Sequence, residues 1–473
     1  MGQTHDLVII GGGSAGLTAA GFAVQLGRKV ALVEKHRIGG DCTWTGCVPS
    51  KALLKVAQVA HQMRNAARYG LGPAEPAVDL KAVMAHVRST VDEVYRSESP
   101  ETLRADGIEV SLGQARFLNA NTLEVGDAGV KLEARRFLIV TGARPFIPPV
   151  PGLDNVDYLT YETVWDLEEL PERLIVVGAG PVGCELAQAF CRLGARVTLL
   201  EAAPRILLQD DLEAADLVGR QLTEDGVDLR LGTAVQRVWR SPDGIHVGFG
   251  DKEVVGDSLL LSVGRQPNVS ALDLDKAGVA YTAKGVQVDR YLHTSQRHIY
   301  AAGDCLGGYQ FTHYAAWQGF MAVRNAFLPG ATRAVLDRVP WATFTDPEVA
   351  HVGLTEGQAR EKFGEGVMVC RWPMEQVDRA VAEGNTSGFV KLVHRSDGTI
   401  LGATIVSPRA GEMIHEWSLA IDRDLKLGDL ANSIHVYPTY STSNMQATAH
   451  IRVEQLLAGT YGKVVRGLAR LAR

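Results

Sequence analysis

The sequence predicts an α/β protein with parallel-sheet units in its N-terminal and central regions and an α+β region at its C-terminal end. Two observations predict this. A strand–turn–helix–strand segment recurs at an offset of 167 residues, and strand-patterned runs followed by one helical run occupy the last part of the chain. At ~150 residues per domain, 473 residues make about three folding units.

The first copy of the repeat begins with Leu7-Val8-Ile9-Ile10, followed by Gly11, Gly13 and Gly16, then Gly27, Val30 and Glu34. Moved by 167 positions, these fall on Leu174-Ile175-Val176-Val177, Gly178, Gly180, Gly183, Gly194, Val197 and Glu201. The first glycine permits a sharp strand-to-helix turn, and the second lets a pyrophosphate approach the backbone. The third lets helix pack closely on strand, and the helix N-terminus offers N–H donors and a positive dipole end. An acid about 20 residues on accepts hydrogen bonds from a ribose. One such loop alone is no more than a tight turn. Two copies, each with strand, spacing and acid intact, predict two dinucleotide sites.

Between the copies lies Gly39-Gly40-Asp41-Cys42-Thr43-Trp44-Thr45-Gly46-Cys47-Val48-Pro49-Ser50-Lys51. An apolar-patterned helix is expected from about Ala52 to Arg68, which places both cysteines at a helix start, where the dipole favours thiolate. Four intervening residues can close a strained, easily reduced disulfide loop. Two inert buried cysteines, or half of a metal site, are the alternatives. No second Cys or His cluster stands nearby in sequence to complete a zinc shell, so no structural metal is expected. Cys184, Cys191, Cys305 and Cys370 are read as packing, and so is Trp44.

These motifs, with Thr141-Gly142-Ala143-Arg144-Pro145, Gly264-Arg265-Gln266-Pro267-Asn268 and Ala301-Ala302-Gly303-Asp304, occur in an order that resembles the pyridine nucleotide–disulfide oxidoreductases. The likeness covers essentially the whole chain. It implies a glutathione-reductase-like fold with an FAD domain in two segments, 1–148 and 273–336. A nicotinamide nucleotide domain would span 149–272 and a dimerisation domain 337–473, the latter including strands Gly388–Val393 and Ile400–Val406 and a helix near Ala410–Asp424.

The resemblance also implies residue roles. FAD would rest on the first loop (Gly11, Gly13, Ser14, Ala15, Gly16), with Glu34 and Lys35 toward its adenosine ribose. Gly113 and Ala115 would lie by the adenine. Gly40, Asp41, Thr141, Gly142 and Ala143 would line the site, with Gly303, Asp304, Thr312 and His313 completing it. Lys51, paired with Glu185, would lie near the flavin. Cys47 would face the flavin and Cys42 the substrate. The second nucleotide would sit on Gly178, Gly180, Pro181, Val182, Gly183, Glu185 and Gly264. Glu201 would accept its ribose hydroxyls and repel a 2′-phosphate, favouring NADH over NADPH. Arg205, four residues later, is read as a local cap.

The family's disulfide-reducing members carry a His-Pro-Thr base near the C-terminus, oriented by a glutamate. The matching stretch is His435-Val436-Tyr437-Pro438-Thr439-Tyr440-Ser441-Thr442, so Tyr437 takes the histidine position and Thr442 the glutamate position. A tyrosine of ordinary pKa near 10 does not shuttle protons at neutral pH as imidazole does. His435, on the same face two residues away, is the minority candidate for that task. Tyrosine here resembles mercuric reductase, although the C-terminus shows no paired cysteines and no metal-capture segment precedes the first loop.

The expected activity is therefore electron transfer from NADH through FAD and a Cys42–Cys47 disulfide to a small acceptor, either a thiophilic metal ion or a disulfide. Dihydrolipoyl dehydrogenase is the alternative enzyme. A flavin-bound redox sensor or interaction protein with little turnover is the alternative of another class. A homodimer is expected, with Tyr437 presented to the partner's Cys42.

Composition is consistent with this reading. A net charge of −6 gives no reason to expect nucleic-acid binding, and no apolar run approaches a membrane span. Six cysteines and the absence of room for a signal peptide before Asp6 lead to a cytoplasmic expectation. The basic terminal run Lys463–Arg473 is read as a solvated helix rather than a membrane-surface one.

Overall fold

The structure is a computed structural model that describes residues 4–457 and 459–471. Met1-Gly2-Gln3 and Ala472-Arg473, which entered the expectations about the chain ends, lie outside the described residues. The chain divides into two compact units. One comprises Met1–Ala179, Ala189–Ala202 and Thr233–Leu336, and the other Gly180–Gln188, Ala203–Gly232 and Asp337–Arg473.

In the first unit, five parallel strands run in the order Ile299–Ala301, Phe137–Ile139, Leu7–Ile10, Val30–Glu34, Glu109–Leu112. Leu7–Ile10 is buried along its whole length, as a strand covered on both faces requires. Helix Ser14–Gln25 turns Ala15, Ala19, Ala20 and Ala23 inward. Such small side chains let helix Thr312–Phe327 come close: a Cβ on Gly319 would stand 2.2 Å from the Ala15 carbonyl oxygen. No side chain but glycine fits there, so the approach of these two helices is written into the sequence at one position.

The repeat extends to strand register. Leu7 pairs with Val30 and Leu174 with Val197, the same positions moved by 167. Strands Arg196–Leu200, Arg173–Val177 and Ser258–Leu261 are parallel. A separate three-stranded antiparallel sheet is formed by Arg237–Ser241, Gly244–Phe249 and Lys252–Gly256.

The second unit contains a five-stranded antiparallel sheet in the order Trp341–Thr343, Glu348–Gly353, Ile400–Ser407, Phe389–Arg395, Val367–Pro373. Helix Ala410–Asp422 buries Met413, Ile414, Trp417 and Ile421 in the same apolar core as Val390, Leu392, Ala403 and Ile405. Helix Thr442–Leu457 adds Ala447 and Ile451 to that core. The terminal run described through Leu471 forms helix Gly459–Leu471, on which Val464, Leu468 and Leu471 are exposed.

One boundary differs from expectation. The helix expected from about Ala52 to Arg68 instead spans Cys47–Arg64, with a short 3₁₀ turn at Ala66–Tyr69. Pro49 explains the earlier start: in the first turn its missing N–H costs nothing, because that donor has no intrahelical partner in any residue. Asn65 stands at the C-cap, where the helix gives way to the 3₁₀ turn that ends at left-handed Gly70.

Candidate active site

The first glycine loop forms because a side chain is excluded from it. Gly11 has φ +120°, and a Cβ there would lie 2.2 Å from the Val140 carbonyl oxygen. Gly13, the N-cap of helix Ser14–Gln25, makes no side-chain cap. Gly40 faces it so closely that a Cβ on Gly40 would stand 2.8 Å from the Gly13 Cα. Two bare backbones and an uncapped helix start make a concavity suited to a pyrophosphate.

Glu34 closes the loop. Its carboxylate accepts the Gly12 N–H at 2.7 Å and the His36 N–H at 2.9 Å. In the second copy Glu201 accepts the Ala179 N–H, also at 2.7 Å. Each acid is thus fixed beside its loop by the same bond, one repeat apart. Lys35 is exposed. Gly113, at φ +149°, donates its N–H to the Glu34 carbonyl, and Ala115 is buried.

Further along, Thr141 Oγ1 donates to the Asn268 carbonyl at 2.6 Å, and Asn268 Nδ2 donates back to the Thr141 carbonyl at 3.1 Å. That pair of hydrogen bonds between loops holds Gly142, at φ +68°, and buried Ala143 in place. Gly303 donates its N–H to buried Gln318. His313 stacks on Phe311, with ring centres 5.5 Å apart.

The cysteines sit on adjoining helices. Cys42 lies in Gly40–Trp44, and Cys47 is the first residue of Cys47–Arg64. The break at Thr45-Gly46 absorbs the off-period spacing of five. Cys47 Sγ lies 3.2 Å from Thr312 Oγ1. The Cys42 thiol is driven upward by its hydrogen bond to Cys47, by burial, and by charge on that neighbouring sulfur, while Thr312 and Ser14 pull it back. Lys51 Nζ lies 3.3 Å from Ser50 Oγ.

Arg265, in the Gly264–Asn268 motif, is a site residue that the motif by itself does not reveal. Its guanidinium pairs with Asp304 at 2.6 Å and with Asp41, and Nε donates to the Tyr161 hydroxyl at 3.2 Å. Burial alone would lower the Arg265 pKa, but Asp304, Tyr161 and Asp41 more than offset it and raise it. Burial moves Asp304 up, opposed by Arg265 and reinforced by Asp41. No spacing rule links positions 41, 265 and 304, so only the folded chain brings them together.

In the second nucleotide loop, Gly178 has φ +101°, and a Cβ there would meet the Ser262 carbonyl oxygen at 2.6 Å. Gly180 stands in open space, and Pro181 begins helix Pro181–Leu193 at the position where proline is tolerated. Val182 is partly exposed, Gly183 and Cys184 are buried, and Gly264 takes φ +120°. Glu185 is buried and accepts the Phe344 N–H at 2.8 Å. Arg205 donates to the Leu207, Leu208 and Asp210 carbonyls, which is local capping.

At the C-terminal segment, His435 Nε2 lies 2.9 and 3.0 Å from the two Glu416 oxygens, and Nδ1 lies 3.3 Å from the Ser433 carbonyl. Asn444 also donates to Glu416 at 2.8 Å. Tyr437 is 65% exposed and donates to Asp378 at 2.7 Å, a bond that raises its pKa. Thr442 bonds to Thr439 and to the Val436 carbonyl, closing the turn. Glu416 lies 19 residues upstream on helix Ala410–Asp422, whereas His435 lies in a loop, so no local spacing in the sequence links the two.

Of the remaining cysteines, Cys184, Cys305 and Cys370 are buried and Cys191 is half-buried. Burial pushes Cys305 up to about 12 and Cys370 up to about 11. Trp44 donates to the Ile38 carbonyl at 2.7 Å and lies against Tyr95 and Arg37. Among the described residues, no group of three or more His, Cys, Asp or Glu could hold a metal ion, and no helix is long and apolar enough to cross a membrane.

Two duplicated nucleotide loops and a cysteine pair beside the first of them define a nucleotide-dependent flavoprotein of the dithiol type. Residues 5–319 match the family described as pyridine nucleotide-disulphide oxidoreductase, and residues 339–448 match its dimerisation domain. The chain belongs to the pyridine nucleotide-disulphide oxidoreductase family, with FAD and a nicotinamide nucleotide as its cofactors and the homodimer as its assembly. It is 38% identical to mercuric reductase of Bacillus cereus over 441 residues, covering 92% of this chain and 69% of that one. It is 37% identical to dihydrolipoyl dehydrogenase of Thermus scotoductus, over 94% and 97% of the two chains. The Cu(II) complex of the HOCl-induced flavoprotein disulfide reductase RclA from Escherichia coli superposes with a TM-score of 0.86 at 30% identity, covering 95% of this chain and 100% of that one.

Proposed function

We propose that this oxidoreductase passes electrons from NADH through Cys42 and Cys47 to a small thiophilic acceptor, with a soft metal ion favoured over a disulfide. The observation that carries this reading is the thiol pair on adjoining helices beside the glycine concavity, with the Thr312 hydroxyl against Cys47. Once bound, FAD supplies two-electron exchange between the nicotinamide and the cysteines.

The chain's own residues do the rest. Opening a Cys42–Cys47 disulfide takes up two electrons and two protons and leaves two thiols. Thr312 and Ser14 offer hydrogen bonds that favour thiolate, and Lys51 brings positive charge along the same helix. Glu34 and Glu201 each orient a ribose, and Glu201 disfavours a 2′-phosphate, which supports NADH. With a divalent soft ion, both thiolates serve as ligands and their two protons leave to solvent; the thiolate pair then gives two electrons to one Hg(II), or one to each of two Cu(II), and closes again to the Cys42–Cys47 disulfide. With a disulfide acceptor, the two protons would end on its thiols, and a base would be needed to move them.

That need separates the acceptors. His435 has both ring nitrogens engaged, with Glu416 and with the Ser433 carbonyl. It is therefore proposed as a strut rather than a base. Tyr437, exposed and aligned with the family's base, is proposed to face the acceptor. The relative named mercuric reductase and the Cu(II) complex point to the same class of acceptor. The second reading, dihydrolipoyl dehydrogenase, is favoured by the relative from Thermus scotoductus.

The test is a screen of the purified flavoprotein with NADH and NADPH against Hg(II), Cu(II), lipoamide, glutathione disulfide and a quinone, for wild type and Cys42→Ser. Fastest turnover with a soft ion, lost in Cys42→Ser, is expected. High wild-type lipoamide turnover would sink the metal preference. Unchanged turnover in Cys42→Ser would remove the thiols from the path.

A further inference from the structure

We propose that Arg265 is an electrostatic latch for the FAD site: it neutralises Asp41 next to the phosphate-facing glycines and ties that segment to Asp304. The inference rests on the reading of the Gly11–Gly16 loop as the FAD pyrophosphate cradle.

Asp41 follows Gly40 directly, and Gly40 lies against Gly13 at the mouth of the concavity. A carboxylate in that position would repel a pyrophosphate if its charge stood alone. Asp41 is part of the five-residue helix Gly40–Trp44 that also carries Cys42, so it cannot move away without moving the thiol. Arg265 answers it from another part of the chain. Its fork reaches Asp41 through Nη2 and Asp304 through Nη1, and its plane lies over the Tyr161 ring, 5.2 Å from the centroid. Arginine suits this place because a planar fork can hold two carboxylates and stack at once, which an ammonium does not do.

Asp304 and Arg265 are both shielded, with side-chain exposures of 14% and 22%. Breaking one arm of such a triad leaves a shielded carboxylate without its cation. Removing Arg265 therefore leaves two negative charges facing the same cradle. Removing Asp41 as well takes away one of them. Asp41 and Arg265 should accordingly behave as a coupled pair toward an anionic ligand, with the Asp41 substitution rescuing the Arg265 substitution.

The experiment measures FAD affinity of the apoprotein by flavin fluorescence for wild type, Arg265→Gln, Arg265→Lys, Asp41→Asn and the double variant Asp41→Asn/Arg265→Gln. Apoprotein melting is recorded for each, to separate folding from binding. Tenfold or more weaker FAD binding is expected for Arg265→Gln, with Arg265→Lys intermediate. Asp41→Asn should bind at least as tightly as wild type, and the double variant should recover most of the loss. A double variant no better than Arg265→Gln would overturn the latch, as would Arg265→Gln with wild-type affinity. If Arg265→Gln does not fold, Arg265→Lys against Asp41→Asn/Arg265→Lys makes the same comparison. Failure of the wild-type apoprotein to take up FAD would instead overturn the cradle reading.

Discussion

The Thr312 hydroxyl stands 3.2 Å from the Cys47 sulfur, although 265 residues separate them in the chain. Thr312 opens its helix, so the hydroxyl and the helix dipole act on the sulfur from the same side. A hydrogen bond to a thiolate favours the charged form.

Replacing Thr312 by Val should therefore slow alkylation of Cys47 by iodoacetamide at pH 7 about tenfold, since an ionic hydrogen bond is worth roughly 1.5 kcal/mol. The check is mass-spectrometric alkylation kinetics on the reduced protein. An unchanged rate would mean that the contact does not hold charge on that sulfur.

His435 and Tyr437 are separable by readout. His435→Ala should cost about 1–2 kcal/mol of stability by stripping Glu416 of its ring partner. It should leave the pH profile of acceptor reduction where it was. Tyr437→His should raise lipoamide turnover by restoring an imidazole at the family's base position. A shifted pH profile in His435→Ala, without a change in melting, would reverse the assignment.

Glu201 and its bond to Ala179 govern coenzyme choice. Glu201→Ala should raise kcat/KM with NADPH relative to NADH at least tenfold, or ~1.4 kcal/mol, by removing repulsion of a 2′-phosphate. The measurement is steady-state kinetics with both nucleotides. No change in the ratio would mean that specificity lies elsewhere.

Burial pushes Glu348 up to about 7, with Glu412 and Asp346 adding to the rise and the Gly411 N–H opposing it. A folded pKa above the usual carboxyl value gives stability that is full below about pH 4.3 and is lost as pH rises through 7. His351 works in the opposite sense. Burial lowers it to about 4, so its contribution is present above about pH 6.5 and is lost as pH falls. The wild-type minus Glu348→Gln difference in denaturant stability should therefore fall by about 1–3 kcal/mol between pH 4.5 and 8. A flat difference would show that Glu348 does not titrate in this window.

Much of this protein could be read from local spacing. The glycine loops announce themselves because a strand, a tight turn and a helix need fixed residue types at fixed intervals, and the 167-residue repeat shows the pattern twice. The cysteine pair is legible for the same reason. The Cys47–Arg64 helix starts five residues before the expected Ala52, because Pro49 sits in its first turn, where a missing N–H costs nothing.

What the sequence by itself determined is the α/β plan and the residue types of its loops, since backbone sterics and apolar periodicity act over a few residues. What only the tertiary structure decided is which distant charges meet: Arg265 between Asp41 and Asp304, and His435 on Glu416. Electrostatic pairing depends on distance in space, and no interval along the chain encodes it.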